Sequence, residues 1–182
     1  MRRAGIVLSV LWVASAIPSA QTDEVARAVL AAPRVMQGDA MVIRLAADGG
    51  HEVLREGTNG LMCWDRSDEP GRSFAVQCTS QANLARVKQN RAWNMSGGNA
   101  EEIQAMRDKA EADGTREVAA FGSTYYSLGG QDQASANPHI TIAVPFATSD
   151  SLGLPSSGAY NEAGTWIMDA GTSGAHIMVP GR

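Results

Sequence analysis

The chain has 182 residues, 44% of them hydrophobic, and its 15 Lys and Arg against 19 Asp and Glu give a net charge of −4. A chain of this length is sufficient for one domain with a substantial hydrophobic core. It contains no basic cluster, which argues against nucleic acid as a partner because phosphate binding depends on clustered Lys and Arg.

The N-terminus has the pattern of a secretory signal peptide. Arg2 and Arg3 form a short basic head, and the apolar stretch 6–17 follows, with small residues after it. Such a head and apolar stretch are typical of export signals. The stretch is too short for a stable spanning helix, which needs roughly 20 residues.

We therefore expect residues 1–20 to be a signal peptide and 21–182 to be a single exported domain. Cleavage after Ala20 is the first expectation, and cleavage after Ala16 is the alternative because Ala14 and Ala16 fit the small-x-small rule. The predicted location is the periplasm or the extracellular space. We expect no membrane span in the mature chain.

One short helix and four short strands are predicted in the first half. Thr22 precedes an apolar stripe and can cap a helix over 23–32, which Pro33 ends. Period-two alternation and Gly- or Asn-containing turns then predict antiparallel neighbours. The predicted strands are 40–46, 51–56, 61–65 and 74–79.

The two cysteines, Cys63 and Cys78, lie in consecutive predicted strands. Pro70 and Gly71 between them suit the two central positions of a type II turn. A hairpin centred on that pair places the two thiols directly opposite each other. In an oxidising compartment this predicts a structural disulfide, whereas a redox or nucleophilic role would call for a C-x-x-C spacing or a nearby His.

Two helices are predicted in the middle of the chain. The first covers 83–93, with Leu84 and Val87 facing inward. The second begins after Asn99, whose side chain and that of Glu102 form a capping-box pattern.

In this second helix the apolar spacing of Ile103, Met106 and Ala110 predicts a buried stripe. Arg107 and Glu111 are four residues apart, which predicts an ion pair on the solvent-facing side. Gly114 is expected to end the helix.

The last third returns to strands, with a long loop over 148–164. The predicted strands are 117–121, 124–128, 139–146, 165–169 and 175–179. Strands in runs with helices grouped between them indicate an α+β fold. We expect a mainly antiparallel sheet of about eight to nine short strands, with the two central helices on one side and a short N-terminal helix.

The best metal-ligand combination consists of His139 and His176 at strand starts, with Asp169 at the end of the neighbouring strand or, alternatively, Asp132. Its spacing matches no known zinc motif, so a hydrogen-bonded or solvated His is the more usual outcome. Asp169, Ser173 and His176 also supply the residue types of a serine hydrolase. They fall within one hairpin, and Ser173 is better interpreted as a turn residue.

No Rossmann or Walker glycine pattern occurs, so no cofactor is expected. The preferred hypothesis is an exported, non-enzymatic domain that binds a small molecule or a protein. The alternative is a hydrolase or metal-dependent enzyme that uses His139, His176 and Asp169. For either class, the space between sheet and helices is the expected binding site.

Overall fold

The computed structural model describes residues 19–156 and 164–179, which form an eight-stranded, mostly antiparallel sheet and four helices. The helices are α1 (Ser19–Ala28), α2 (Leu84–Asn94), α3 (Ala100–Ala112) and α4 (Ser149–Leu152). The strands are β1 (Met41–Leu45), β2 (His51–Arg55), β3 (Leu61–Asp65), β4 (Phe74–Ser80), β5 (Thr124–Gly130), β6 (Asn137–Ala143), β7 (Trp166–Met168) and β8 (His176–Val179). Across the sheet they are ordered β2-β1-β3-β4-β5-β6-β8-β7. The predicted α+β class is confirmed.

The sheet separates two hydrophobic clusters because successive strand side chains point to opposite faces. On one face, Ile43, Met62 and Trp64 pack with Val87 of α2. On the other face, the two cysteines pack with Ala28 at the end of α1. Two ion pairs also hold α1 on its side, Arg27 with Asp65 of β3 and Glu24 with Arg44 of β1.

The predicted run of antiparallel neighbours is wrong at one point, because β1 and β3 are parallel, with Met41 opposite Met62. After β2 the chain crosses back at Gly57 and enters the sheet on the other side of β1. A Cβ on Gly57 would lie 2.1 Å from the backbone nitrogen of Met41. A residue without a side chain therefore permits the tight crossing that places β3 beside β1.

The predicted disulfide is confirmed, with Cys63 directly opposite Cys78 in the β3–β4 hairpin. Gly71 in the connecting turn has φ of 77°, as the Pro-Gly pair requires. Both sulfurs are fully buried beneath α1, which packs on the same face of the sheet.

The predicted strand over 117–121 is wrong, since these residues form an irregular segment along α2. Side chains at and near α2 form hydrogen bonds with backbone groups of this segment that would otherwise pair with a neighbouring strand. Arg86 donates to the carbonyl oxygen of Glu117 at 2.5 Å, and the N–H of Ala120 donates to Asn83 Oδ1 at 2.8 Å. The segment thereby closes one end of the space between α2 and the sheet.

Element ends differ from the prediction in smaller ways. Helix α1 begins at Ser19, so Thr22 lies inside it and does not cap it. The β5–β6 loop is shorter than predicted because Pro138 belongs to β6 and lies opposite Leu128. A proline can occupy this position near the start of a strand without donating to the ladder.

The capping box of α3 is confirmed, with Asn99 Oδ1 accepting from the N–H of Glu102 at 3.0 Å. The predicted buried stripe is only partly present, since Ala110 is buried but Met106 is 37% exposed. Helix α3 therefore attaches to the rest of the molecule largely through polar contacts.

Part of the predicted signal peptide, residues 1–18, and part of the long loop, 157–163, lie outside the described residues. The described part of that loop contains the one-turn helix α4, capped by Thr148. None of the helices in the described ranges is long and apolar enough to cross a bilayer.

Replacing both cysteines, as Cys63→Ala with Cys78→Ala, should lower the free energy of unfolding by about 3 kcal/mol, because the 15-residue separation no longer restricts the unfolded chain. Urea unfolding of the oxidised wild type and the double variant measures this difference. A change below about 1 kcal/mol would contradict a stabilising role for the crosslink.

Candidate functional site

A cleft opens between α2, α3 and the face of the sheet that α2 covers. It consists of two adjoining chambers that share five lining residues. The inner chamber, of about 210 Å³, lies over Trp64, Tyr125 and Thr141 on the sheet. The outer chamber, of about 250 Å³, lies between α3 and the β7–β8 turn. We call the two chambers together the arginine cleft, since five arginines line it: Arg66, Arg86, Arg91, Arg107 and Arg116.

The floor of the inner chamber is a buried ionic network centred on Glu69, whose side chain is only 4% exposed. Arg66 donates to both Glu69 oxygens, at 2.8 and 3.1 Å, and Arg72 donates at 3.0 Å. Burial alone would raise the pKa of Glu69, but the hydrogen bond and charge of Arg66, together with Arg72, lower it below its usual range. Glu69 is therefore ionised across the physiological pH range.

Arg91 connects this network to α2. Its guanidinium binds Asp68 at 2.5 and 2.8 Å and lies 3.6 Å from Glu69, although its side chain is only 3% exposed. It also donates to the carbonyl oxygens of Leu45 and Ala46 at the end of β1. Arg91 and Arg66 are thus both paired with carboxylates, and Arg91 joins α2 to the sheet.

The other three arginines of the cleft, Arg86, Arg107 and Arg116, have no carboxylate within 4.0 Å among residues 19–156 and 164–179. Each is held by neutral groups instead. Arg86 bonds the Glu117 carbonyl, and Arg107 donates to Asn94 Oδ1 at 3.1 Å. These contacts fix the guanidiniums without neutralising them.

Arg116 is positioned by the side chains of α2. It donates to Gln89 Oε1 at 2.6 Å and to Asn90 Oδ1 at 2.7 Å, and its guanidinium lies 4.6 Å from the ring centroid of Trp93. Cation–π contact and amide oxygens stabilise a cation without cancelling its charge. Gly114 and the end of α3 return the chain so that Arg116 reaches α2.

The pKa values of Arg86 and Arg116 are both lowered. The pKa of Arg116 is lowered to about 10 by burial and then by the charges of Arg86 and Arg107. The pKa of Arg86 is lowered mainly by burial. At neutral pH all three are charged, and the carboxylates of Asp108, Glu111 and Asp169 line the same chamber without forming an ion pair with any of them in the described residues.

Glu111 of α3 faces the cleft, in contrast to the predicted solvent-side pair with Arg107. Its two oxygens accept from the backbone N–H and the hydroxyl of Ser173, at 2.7 and 2.5 Å. Burial tends to raise the pKa of Glu111, but these bonds and the charges of Arg86 and Arg116 lower it. The contact fastens the C-terminal half of α3 to the β7–β8 turn.

Of the predicted metal ligands, His176 and Asp169 both line the outer chamber. His139 does not line the cleft. It lies opposite Ser127 of β5, whereas His176 lies opposite Ala143, four residues further along β6. The pKa of His139 is lowered by burial and by the charge of His176. Within the described ranges, no three His, Cys, Asp or Glu side chains form a group that could hold a metal. The enzyme hypothesis stays a prediction.

The serine-hydrolase combination has no supporting geometry in the described residues. Ser173 is 3% exposed and its hydroxyl donates to Glu111, while His176 Nδ1 bonds the carbonyl oxygen of Gly174 at 2.8 Å. Because a carbonyl only accepts, this bond places the proton on Nδ1. Ser173 is a turn residue that positions Glu111, in line with its interpretation from the sequence.

Sequence reasoning missed the three arginines that characterise the site. Arg86 and Arg107 lie on different helices, and Arg116 lies in a loop, so no local spacing brings them together. The one local signal, Arg107 four residues before Glu111, indicates an ion pair, which is not the contact that either residue makes.

Comparison of the chain with protein-family models, curated proteins and solved structures finds no match. The function is therefore argued from the chemistry of the cleft itself.

The buried network predicts that Glu69→Gln lowers the free energy of unfolding by about 3 kcal/mol, because the buried Arg91 and the partly buried Arg66 then lose this carboxylate. Since the folded-state pKa of Glu69 is lowered, its contribution is present at neutral pH and is lost as pH falls through that value. Urea unfolding over a series of pH values from 7 downward should show a difference between wild type and variant that is largest at pH 7 and shrinks as pH falls.

The matched control is Glu56→Gln, which removes the same charge from an exposed residue. It should change the free energy of unfolding by less than about 0.5 kcal/mol. Equal effects of the two substitutions at pH 7 would contradict a structural role for the network.

Proposed function

We propose that this protein is a non-enzymatic binding domain that holds a small anionic ligand in the arginine cleft. The observation that carries the proposal is the convergence of Arg86, Arg107 and Arg116 on one chamber without a carboxylate partner within 4.0 Å in the described residues. Five nearby lining positions supply hydrogen-bonding groups, which suits a polar ligand: Asn90, Gln104, Thr172, Gly174 and His176.

Clustered guanidiniums destabilise a fold unless an anion balances them. Arginine cannot lose its proton easily, so the cluster remains charged and its members repel one another. The planar guanidinium fork matches a carboxylate or phosphate in two parallel hydrogen bonds. A ligand whose anionic group binds these guanidiniums directly would supply the ion pairs that the carboxylates lining the same chamber do not make.

The dimensions of the cleft favour a ligand of metabolite size. The two adjoining chambers, of about 210 and 250 Å³, together lie in the lower part of the roughly 300–1,000 Å³ range of small-molecule sites. The inner chamber offers a partly apolar wall, including Trp64 and Val87, beyond the charged outer chamber. A compact molecule with its anionic end outermost fits this arrangement.

The same proposal includes export of the domain. The signal-like residues 1–20, the disulfide between Cys63 and Cys78 and the lack of a spanning helix in the described residues are consistent with a protein of an oxidising compartment. Mass spectrometry of protein expressed with its own N-terminus tests this part. The expected mature chain begins after Ala20 or Ala16, and recovery of the intact chain from the cytoplasm alone would contradict export.

Anion binding can be measured with inorganic phosphate and citrate as probes, by calorimetry and by the rise in melting temperature at low ionic strength. Arg107→Gln and Arg116→Gln should each weaken binding by about tenfold or more, since each removes a charge-assisted hydrogen bond. Removing a positive charge from the cluster should not destabilise the free protein greatly, because the three arginines repel one another.

The matched control is Arg34→Gln, an exposed arginine that does not line the cleft. It should leave the affinity for both probes unchanged. If the wild type binds neither probe, or if Arg34→Gln weakens binding as much as Arg116→Gln, the proposed anion site is wrong.

A further inference from the structure

Gly174 separates two opposite charges at the rim of the outer chamber. A Cβ placed on this glycine would lie 3.1 Å from Arg86 Nη2 and 3.6 Å from Asp169 Oδ2. The guanidinium and the carboxylate therefore flank the same point in space. They do not form an ion pair, since no nitrogen of Arg86 lies within 4.0 Å of an Asp169 oxygen.

The backbone does not require a glycine at this position. The φ of Gly174 lies outside the left-handed region, whereas that of Gly171 in the same turn is 82°. What distinguishes Gly174 is the space that its missing side chain leaves. A Cβ at residue 174 would press against Arg86 Nη2, so the glycine allows this guanidinium to lie close to the β7–β8 turn.

Negative charge lies beside the three arginines throughout this chamber. Asp169 is exposed and its charge acts on Arg86, raising the pKa of that guanidinium against the larger effect of burial. Glu111 lines the same chamber and is bonded to Ser173. A ligand that carried only negative charge would approach Asp169 unfavourably, whereas one with a cationic group next to its anionic group would not.

We propose that the ligand of the arginine cleft is a zwitterion of the α-amino-acid class. Its carboxylate binds Arg86 together with Arg107 and Arg116, and its ammonium group binds Asp169 on the side of Gly174 that faces away from Arg86. Adjacent charges of opposite sign match the adjacent guanidinium and carboxylate. This inference rests on the proposed anion site and adds the identity of the second recognised group.

The experiment compares each amino acid with the analogue in which a hydroxyl replaces the ammonium group. L-Alanine against L-lactate and L-glutamate against L-2-hydroxyglutarate are the matched probes, measured by calorimetry after a thermal-shift screen of the twenty proteinogenic amino acids. The wild type should bind the best amino acid at least about tenfold more tightly than its hydroxy analogue.

Asp169→Asn should remove that preference, and the affinity for the hydroxy analogue should stay the same or rise because a repelling negative charge is lost. Asparagine suits this test because residue 169 has φ of 54°, a conformation that Asn adopts readily. Asp39→Asn, an exposed aspartate outside the cleft, is the control and should retain the preference.

Gly174→Ala should weaken amino-acid binding because its Cβ displaces the Arg86 guanidinium, and the far-UV spectrum should be unchanged. Gly38→Ala is its control, because a Cβ there meets no atom within 4 Å. Equal affinities for amino and hydroxy acids, or a preference that survives in Asp169→Asn, would overturn the zwitterion while leaving the anion site in place. If the wild type binds none of the four probe classes, that is, amino acids, hydroxy acids, phosphate and citrate, the proposed function is wrong as well.

Discussion

The buried carboxylate of Glu69 is the interaction on which the cleft depends. It receives Arg66 and Arg72 from its own hairpin and lies 3.6 Å from Arg91 of α2. Burying charged groups costs free energy unless each is paired. Here the pairing allows the side chain of Arg91 to be almost completely buried from solvent. The network joins α2 to the end of the β3–β4 hairpin, and α2 in turn presents the groups that hold Arg116.

The contrast between paired and unpaired arginines separates structure from function in this molecule. Arg66 and Arg91 lie against carboxylates and connect elements. Arg86, Arg107 and Arg116 are held by amide, carbonyl and aromatic groups, which orient them and leave their charge available. Perturbed charged groups gathered in a cleft are a general mark of functional sites, because selection for stability alone would have paired or removed them.

Much of the fold could be predicted from local patterns. The symmetric placement of Cys63 and Cys78 about a Pro-Gly turn gave the register of one hairpin, and the Asn99–Glu102 spacing gave the start of α3. Both signals lie within short stretches of the sequence, and the hairpin register and the helix start that they predict depend only on those stretches. The parallel pairing of β1 with β3 could not be predicted, since it depends on how closely the chain passes Met41 at Gly57.

Less of the site could be predicted, for a related reason. Asp169 and His176 drew attention as titratable residues of the last hairpin, and both line the cleft. The arginines did not, because their meeting depends on the packing of α3 across α2 and on the return of the chain at Arg116. The segment 117–121 has the composition of a strand, yet its backbone bonds to side chains around α2, a tertiary contact that no strand pattern contains.

The central claim is that the three unpaired guanidiniums form an anion site. The most direct test is a crystal structure of the mature protein grown with millimolar selenate, recorded at the selenium absorption edge on crystals with unlabelled methionine. The account predicts an anomalous peak within hydrogen-bonding distance of Arg86, Arg107 or Arg116 in the outer chamber. An outer chamber without a peak, with the guanidiniums bound instead to carboxylates such as Asp169 and Glu111, would contradict it.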